Sequence, residues 1–358
     1  MRPQTFVPLA LALSTSAAFA NTVTQNLSWT INRSGATAKY RVVAYGDSIF
    51  AGYHGSISSV AKRAAPYVDA EYAQKHWNSN IEMYRRTKSG AVASDIYNNK
   101  IVAEKSYMQA TDTRIVMFEM CGNDFLQARS SFSSQTGTCS YSGLDSALAN
   151  CTSYQQQAMQ FINANAYSGT KVKMIVNLFY PGYNADNVNT SCTDPATGKP
   201  VNKQQKFLPY LAHSNWRACN FAAQHGFTCV DAFASYMGAD YDTNGNGIAD
   251  STDLKWKAGE SEADYVNRIT VTQRPIIRDS TAHFVNASTS YDYLQSDNTH
   301  PTYTGSTVYV GFFGGTGSGS GAPDYSDAQL GSGKNPVWNQ FGHENMGYAT
   351  SLATPASP

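Results

Sequence analysis

The chain has no surplus of either charge: 26 Lys and Arg face 26 Asp and Glu across 358 residues. A balanced chain lacks the electrostatic footprint of a nucleic-acid binder or of a protein held on an anionic membrane. Charged residues are few, 15% of the total, and the mean hydropathy is −0.39. Those values fit a soluble globular protein with a polar, largely uncharged surface. No internal repeat is visible. Beyond the first twenty residues no apolar run approaches the ~20 residues that cross a bilayer. Cysteines are scarce, six in all, and their spacing matches no zinc pattern. The G-x-S-x-G elbow of the α/β-hydrolases is also missing.

An export signal opens the chain. Arg2 supplies the positive start, residues 6–19 are apolar or small, and Ala18-Phe19-Ala20 fits a small-x-small cleavage site. The mature chain then begins at Asn21, in a secreted or periplasmic setting. In such an oxidising compartment an even cysteine count favours disulfides. Cys139–Cys151 closes a short loop and is the one pairing expected. Cys121, Cys192, Cys219 and Cys229 stay unassigned. Cys121 is expected to be bonded and not to act as a nucleophile.

Residues 21–38 are polar and read as an N-terminal arm. From residue 40 onward, apolar strands alternate with helical stretches. Strands are expected at 40–45, 81–86, 113–120, 171–179 and 227–233, and helices at 57–76, 144–165 and 203–225. This alternation predicts a parallel sheet with helices on both faces, an α/β/α sandwich. After 233 the texture changes to an acidic Gly/Asn-rich stretch at 240–253. A Gly/Ser link follows at 313–321, then a C-terminal extension with one helix near "NQFGHENMGYATSL". The expected organisation is a signal at 1–20, the arm at 21–38, a catalytic domain over 39–312 and the extension over 313–358.

Three turns carry chemistry. In open parallel sheets, ligands bind at the carboxyl ends of the strands. "VVAYGDSIFAGY", residues 42–53, places Ser48 just past the first strand. Taken alone, Ser48 is either a helix cap or a nucleophile beside the N–H groups of a helix start. Gly122-Asn123-Asp124 follows the strand at 113–120 and can aim the Asn123 amide at the same crevice; alone it reads as a turn. In "SDNTHP", Asp297 and His300 lie one turn apart, so the carboxylate can fix the imidazole tautomer and leave its other nitrogen as a base.

Nucleophile, oxyanion donor and oriented base thus occur in that order. On these residues the chain resembles the SGNH, or GDSL-type, serine ester hydrolases. Gly46-Asp47-Ser48-Ile49 matches the family's first block, Gly122-Asn123-Asp124 its third, and Asp297-x-x-His300 its last. Gly90 stands for the second block, in a looser match: Thr87 and Lys88 occupy positions where the family often has Asn. The resemblance spans residues 40–310. It implies a flavodoxin-like α/β/α sandwich with a short central parallel sheet. It also implies a Ser48, His300 and Asp297 triad, and an oxyanion hole from the Ser48 and Gly90 N–H groups and the Asn123 side chain. The substrate would be a small-molecule or lipid ester, with an acetylated carbohydrate as the alternative. No metal is expected in catalysis, and no nucleic acid as partner.

One loop stands apart. In "DTNGNGIADSTD", residues 242–253, oxygen-bearing side chains recur at the spacing of a calcium loop: Asp242, Asn244, Asn246, Asp250 and Asp253. Gly247 takes the sharp-turn position and Ile248 offers its carbonyl. The loop resembles a dockerin-like EF-hand in which Asp replaces the final Glu. A structural calcium is expected there, pinning an insertion. His54, His343 and Glu344 are read as surface residues. The rival to an esterase is a non-catalytic, calcium-stabilised binding protein.

Overall fold

The structure, a computed structural model, describes residues 22–56, 59–178, 189–237, 250–272, 284–285, 290–291, 299–301, 309–310, 316–317 and 342–358. Its centre is a six-stranded sheet. The strands are β1 (Val23–Ile31), β2 (Lys39–Gly46), β3 (Asn80–Ser89), β4 (Thr113–Phe118), β5 (Val172–Val176) and β6 (Thr228–Val230), in the order β1-β3-β2-β4-β5-β6. Five strands run parallel, and β1 alone is antiparallel, at the edge against β3. The fold is a three-layer α/β/α sandwich.

The strands form because their apolar runs are buried on both faces, as parallel strands require. Val42, Val43, Ala44 and Tyr45 of β2 are fully buried, as are Ile115, Val116, Met117 and Phe118 of β4. One strand nearer the edge, β3 alternates buried and half-buried residues instead. Within the polar N-terminal arm lies β1. Its register pairs Trp29 with Met83 and Ile31 with Ile81, which closes the sheet edge next to β3.

The helices follow the strands. After β2 comes the one-turn α1 (Ser48–Ala51), stopped by Gly52 at φ +79°. Then come α2 (Ala65–His76), α3 (Gly122–Ser133), α4 (Ser142–Asn165) and α5 (Lys203–His225). The helix expected over 57–76 begins only at Ala65. Pro66 sits in its first turn, where the missing N–H costs nothing. Chain order decides the layers: β2 leads outward to β3 on one side, while β4, β5 and β6 extend on the other. Right-handed crossovers then place α2 and α4 on opposite faces. The order reverses at β2 and β4, so the crevice at their carboxyl ends is the switch point of the sheet.

A last helix, α6 (Gly342–Ser351), returns from the far end of the chain to pack on α2. A Cβ at Gly347 would lie 2.5 Å from Val68 Cβ, so glycine is what lets the two helices approach. Beyond α6, Pro355 O accepts from Trp77 Nε1 (2.7 Å) and Thr354 Oγ1 donates to Asp69 Oδ1 (2.7 Å).

Asp69 itself is fully buried, and its Oδ2 has no hydrogen-bond partner among the described residues. Burial pushes its carboxyl from 3.8 up to about 7, against the opposing pull of the Thr354 hydroxyl. Between those two values the folded chain keeps a proton that the unfolded chain has lost. Asp69 therefore makes stability fall as pH rises from about 4 to about 7, and adds no slope beyond. Asp69→Asn is expected to remove that contribution and to melt above wild type at pH 8; thermal melts of both proteins across pH 4–8 measure it.

Two disulfides are present, Cys139–Cys192 and Cys219–Cys229. The expected Cys139–Cys151 pair is not formed. The reason lies in strand pairing that loop length does not reveal. Gly137–Thr138 runs parallel to Asn189–Thr193, with Gly137 opposite Cys192, and Cys139 N donates to Thr193 O (2.8 Å). That ladder carries Cys139 to Cys192. Cys151 faces inward from α4 and is fully buried, and Cys121, expected to be bonded, is buried and free here as well.

Candidate active site

Ser48 is the first residue of α1, immediately after β2. Its helix is capped by Asp47, whose Oδ1 accepts the Ile49 N–H (2.8 Å). Capping is thus done by the neighbour, and the Ser48 hydroxyl serves elsewhere: it lies 2.8 Å from His300 Nε2. With the imidazole proton on Nδ1, Nε2 accepts the Ser48 O–H. The two residues are 252 positions apart in sequence. Tyr53 stacks on a face of the imidazole, ring centroids 3.8 Å apart and planes 20° apart.

Two carboxyls shape the turn beneath Ser48. Asp47 Oδ2 accepts from Asn123 Nδ2 (3.0 Å), and Asp47 N donates to Glu119 Oε1 (2.6 Å). Both side chains are buried. Burial pushes the Glu119 carboxyl well above the ordinary range, and the Asp47 charge raises it further. Asp47 is raised too, chiefly by burial, but the Ile49 N–H, Glu119, the His300 charge and Asn123 all favour its ionised form. The proton of the pair therefore rests on Glu119, which donates to the Asp47 carboxylate. Gly46 completes the arrangement, because a Cβ there would collide with Glu119 Oε1 and with Phe50 Cβ.

Asn123 sits at the start of α3, just beyond β4. Its amide donates to Asp47 Oδ2 and to Ala91 O (3.0 Å each). One of those N–H groups must swing free to meet a third acceptor. Gly90, at the end of β3, has φ +77°, a backbone that L side chains rarely adopt. Its neighbour Ala91 provides the Asn123 acceptor, so the β3 turn and the α3 start are joined. Asp124 adds a second tie by accepting from Ala93 N (2.8 Å), and burial pushes its carboxyl up to about 6.

Ser48 and Asn123 line one cleft whose wall is mostly apolar: Ile49, Leu126, Val176, Leu178 and Met346. Thr299, next to His300, also lines it. The structure thus brings Ser48, His300 and Asn123 to the carboxyl ends of β2 and β4. Asp297, Asp242, Asn244, Asn246 and Ile248 lie outside the described residues, as do residues 1–21. Asp250 opens a short helix, Asp250–Asp253, and Asp253 is buried. Among the described residues no helix is long and apolar enough to cross a membrane.

Three contributors were not anticipated from sequence. Tyr53 belongs to the same stretch as Ser48 and reads there as an ordinary aromatic. Glu119 did leave a signal, a lone acid at the end of the apolar run "TRIVMFEM". Met346 comes from the C-terminal extension, which no pattern connects to Ser48.

No protein-family model matches the chain, and no curated protein matches it. Solved structures do. A lipase from a goat rumen metagenome is 16% identical, over 55% of this chain and 82% of its own, with a TM-score of 0.42. Phospholipase A1 from Streptomyces albidoflavus NA297 is 19% identical, over 56% and 82%, with a TM-score of 0.41. An acetyl xylan esterase from Geobacillus stearothermophilus is 14% identical, over 56% and 79%, with a TM-score of 0.35. Likeness this slight assigns no activity to the chain.

Proposed function

We propose that the protein is an exported serine hydrolase of carboxylic esters. The observation that carries the reading is the 2.8 Å contact between Ser48 Oγ and His300 Nε2 at the switch point of the sheet. Ser48 attacks the ester carbonyl as His300 Nε2 takes its proton. His300 then protonates the leaving alcohol, and water releases the acyl group by the same steps in reverse order. Asp297 orients His300 from three residues upstream. The developing oxyanion is met by the Ser48 and Gly90 N–H groups and by the Asn123 amide, which turns from Ala91 O.

The apolar wall suits an acyl group better than a sugar ring, which asks for polar partners. Hydrolysis of p-nitrophenyl esters of graded acyl length, beside acetylated xylan and phospholipid, tests this. Rates highest for short or medium acyl esters support it. Turnover confined to acetylated xylan would replace it with a carbohydrate esterase, and none on any substrate would return the chain to the binding proteins.

The stacked Tyr53 keeps the imidazole plane facing Ser48. Tyr53→Leu is expected to lower kcat about ten-fold, with KM little changed, because a misaligned base loses part of general-base assistance. Steady-state kinetics on one ester measure it.

The reading includes a structural calcium at residues 242–253, on the strength of oxygen spacing. Calcium at about 100 times its dissociation constant adds about 2.7 kcal/mol to stability. Adding calcium to thoroughly chelated protein is therefore expected to raise Tm by several degrees, and an unchanged melt discards the site.

A further inference from the structure

Cys121 is the residue from which α3 is launched, two before Asn123. Its φ is +88° and its ψ −14°. Among the described residues only Asn78 is another non-glycine with positive φ, and asparagine tolerates that backbone where cysteine does not. Such a conformation persists only when its surroundings over-determine it. Beside it lies Cys151, on α4, which packs against α3. Both cysteines are fully buried and unbonded here, and their sulfurs and an Asp124 oxygen all lie within 4.8 Å of one another. The other four cysteines are already bridged.

We propose that Cys121 and Cys151 form a third disulfide in the mature protein, and that this bond holds the left-handed turn which positions Asn123. The bond forms during folding, before the sulfurs are buried, by exchange with a low-molecular-weight or oxidase disulfide, RSSR. One cysteine thiolate attacks RSSR and expels RS⁻. The second attacks the mixed disulfide and expels another RS⁻. Two cysteine thiols lose two electrons and two protons, and RSSR becomes two RSH. A metal centre fits the cluster less well. It requires thiolates, whereas burial pushes both thiols up, and the Asp124 carboxylate already accepts from Ala93 N.

The bond itself does not depend on the chain being an esterase; its effect on Asn123 rests on that reading. Non-reducing peptide mapping of the exported full-length chain, alkylated in denaturant, tests the bond. A cross-linked peptide pair containing Cys121 and Cys151 is expected. Alkyl label on both, with the other two bridges intact, overturns it, as does a stoichiometric metal ion found with the labelled thiols. For the positioning role, Cys151→Ser is expected to lower kcat about 10- to 100-fold with KM nearly constant, the scale of a small misplacement. Cys121→Gly/Cys151→Ser is expected to recover most of that loss, because glycine adopts the turn without a tether. Unchanged kcat in Cys151→Ser, or no recovery in the folded double variant, overturns the positioning role. A chain with the bridge mapped but inert toward every ester leaves the bridge standing and removes the hydrolase reading.

Discussion

Ser48→Ala is expected to lower kcat by about 10⁴–10⁶-fold while the protein stays folded. The size follows from what the hydroxyl does. It forms the covalent bond, so its loss leaves only water attacking an ester held beside oxyanion donors. The fold is spared because Ser48 does not cap α1. Asp47 does, by accepting from Ile49 N at 2.8 Å. The melting temperature is therefore expected to stay within a degree or two of wild type, and its measurement beside kcat separates lost chemistry from lost structure.

Asn123→Ala is expected to cost about 10²–10³-fold in kcat with little change in KM, the usual effect of removing one oxyanion donor. It differs from Ser48→Ala in a second readout. Asn123 Nδ2 donates to Asp47 Oδ2 and Ala91 O, and both bonds disappear. Asp47 is a buried carboxylate whose remaining partners are Ile49 N and Glu119. Losing one donor to such a group costs about 1–3 kcal/mol. Asn123→Ala is thus expected to melt several degrees below wild type, where Ser48→Ala does not. Melts and steady-state kinetics of the two variants, taken together, check the assignment of roles.

The sheet was legible because β2 and β4 are unbroken apolar runs, and only two-sided burial makes such runs. Ser48 and Asn123 were legible because they follow β2 and β4 at the carboxyl ends where a parallel sheet binds ligands, and His300 because of the chemistry of imidazole. The edge strand β1 was not legible. Its polar residues satisfy an exposed strand as well as an arm, and its pairing with β3 is a tertiary fact. The cysteine pairing failed for a like reason. The ladder between Gly137–Thr138 and Asn189–Thr193 sets Cys139 against Cys192, and nothing local announces a two-residue strand. The C-terminal segment reaches the cleft through Met346 only because Gly347 lets α6 close on Val68. Sequence separation hides such a contact completely. Glu119 is the intermediate case: an acid at the end of a buried run signals a shared proton, but its partner Asp47 emerges only when β2 and β4 lie side by side.

One measurement tests the central claim most directly. The intact protein is incubated with a fluorophosphonate probe and the labelled residue is mapped by mass spectrometry. One adduct per chain on Ser48 is predicted, absent from Ser48→Ala and much slower in His300→Ala. Folded protein that takes up no probe at Ser48 would contradict the account.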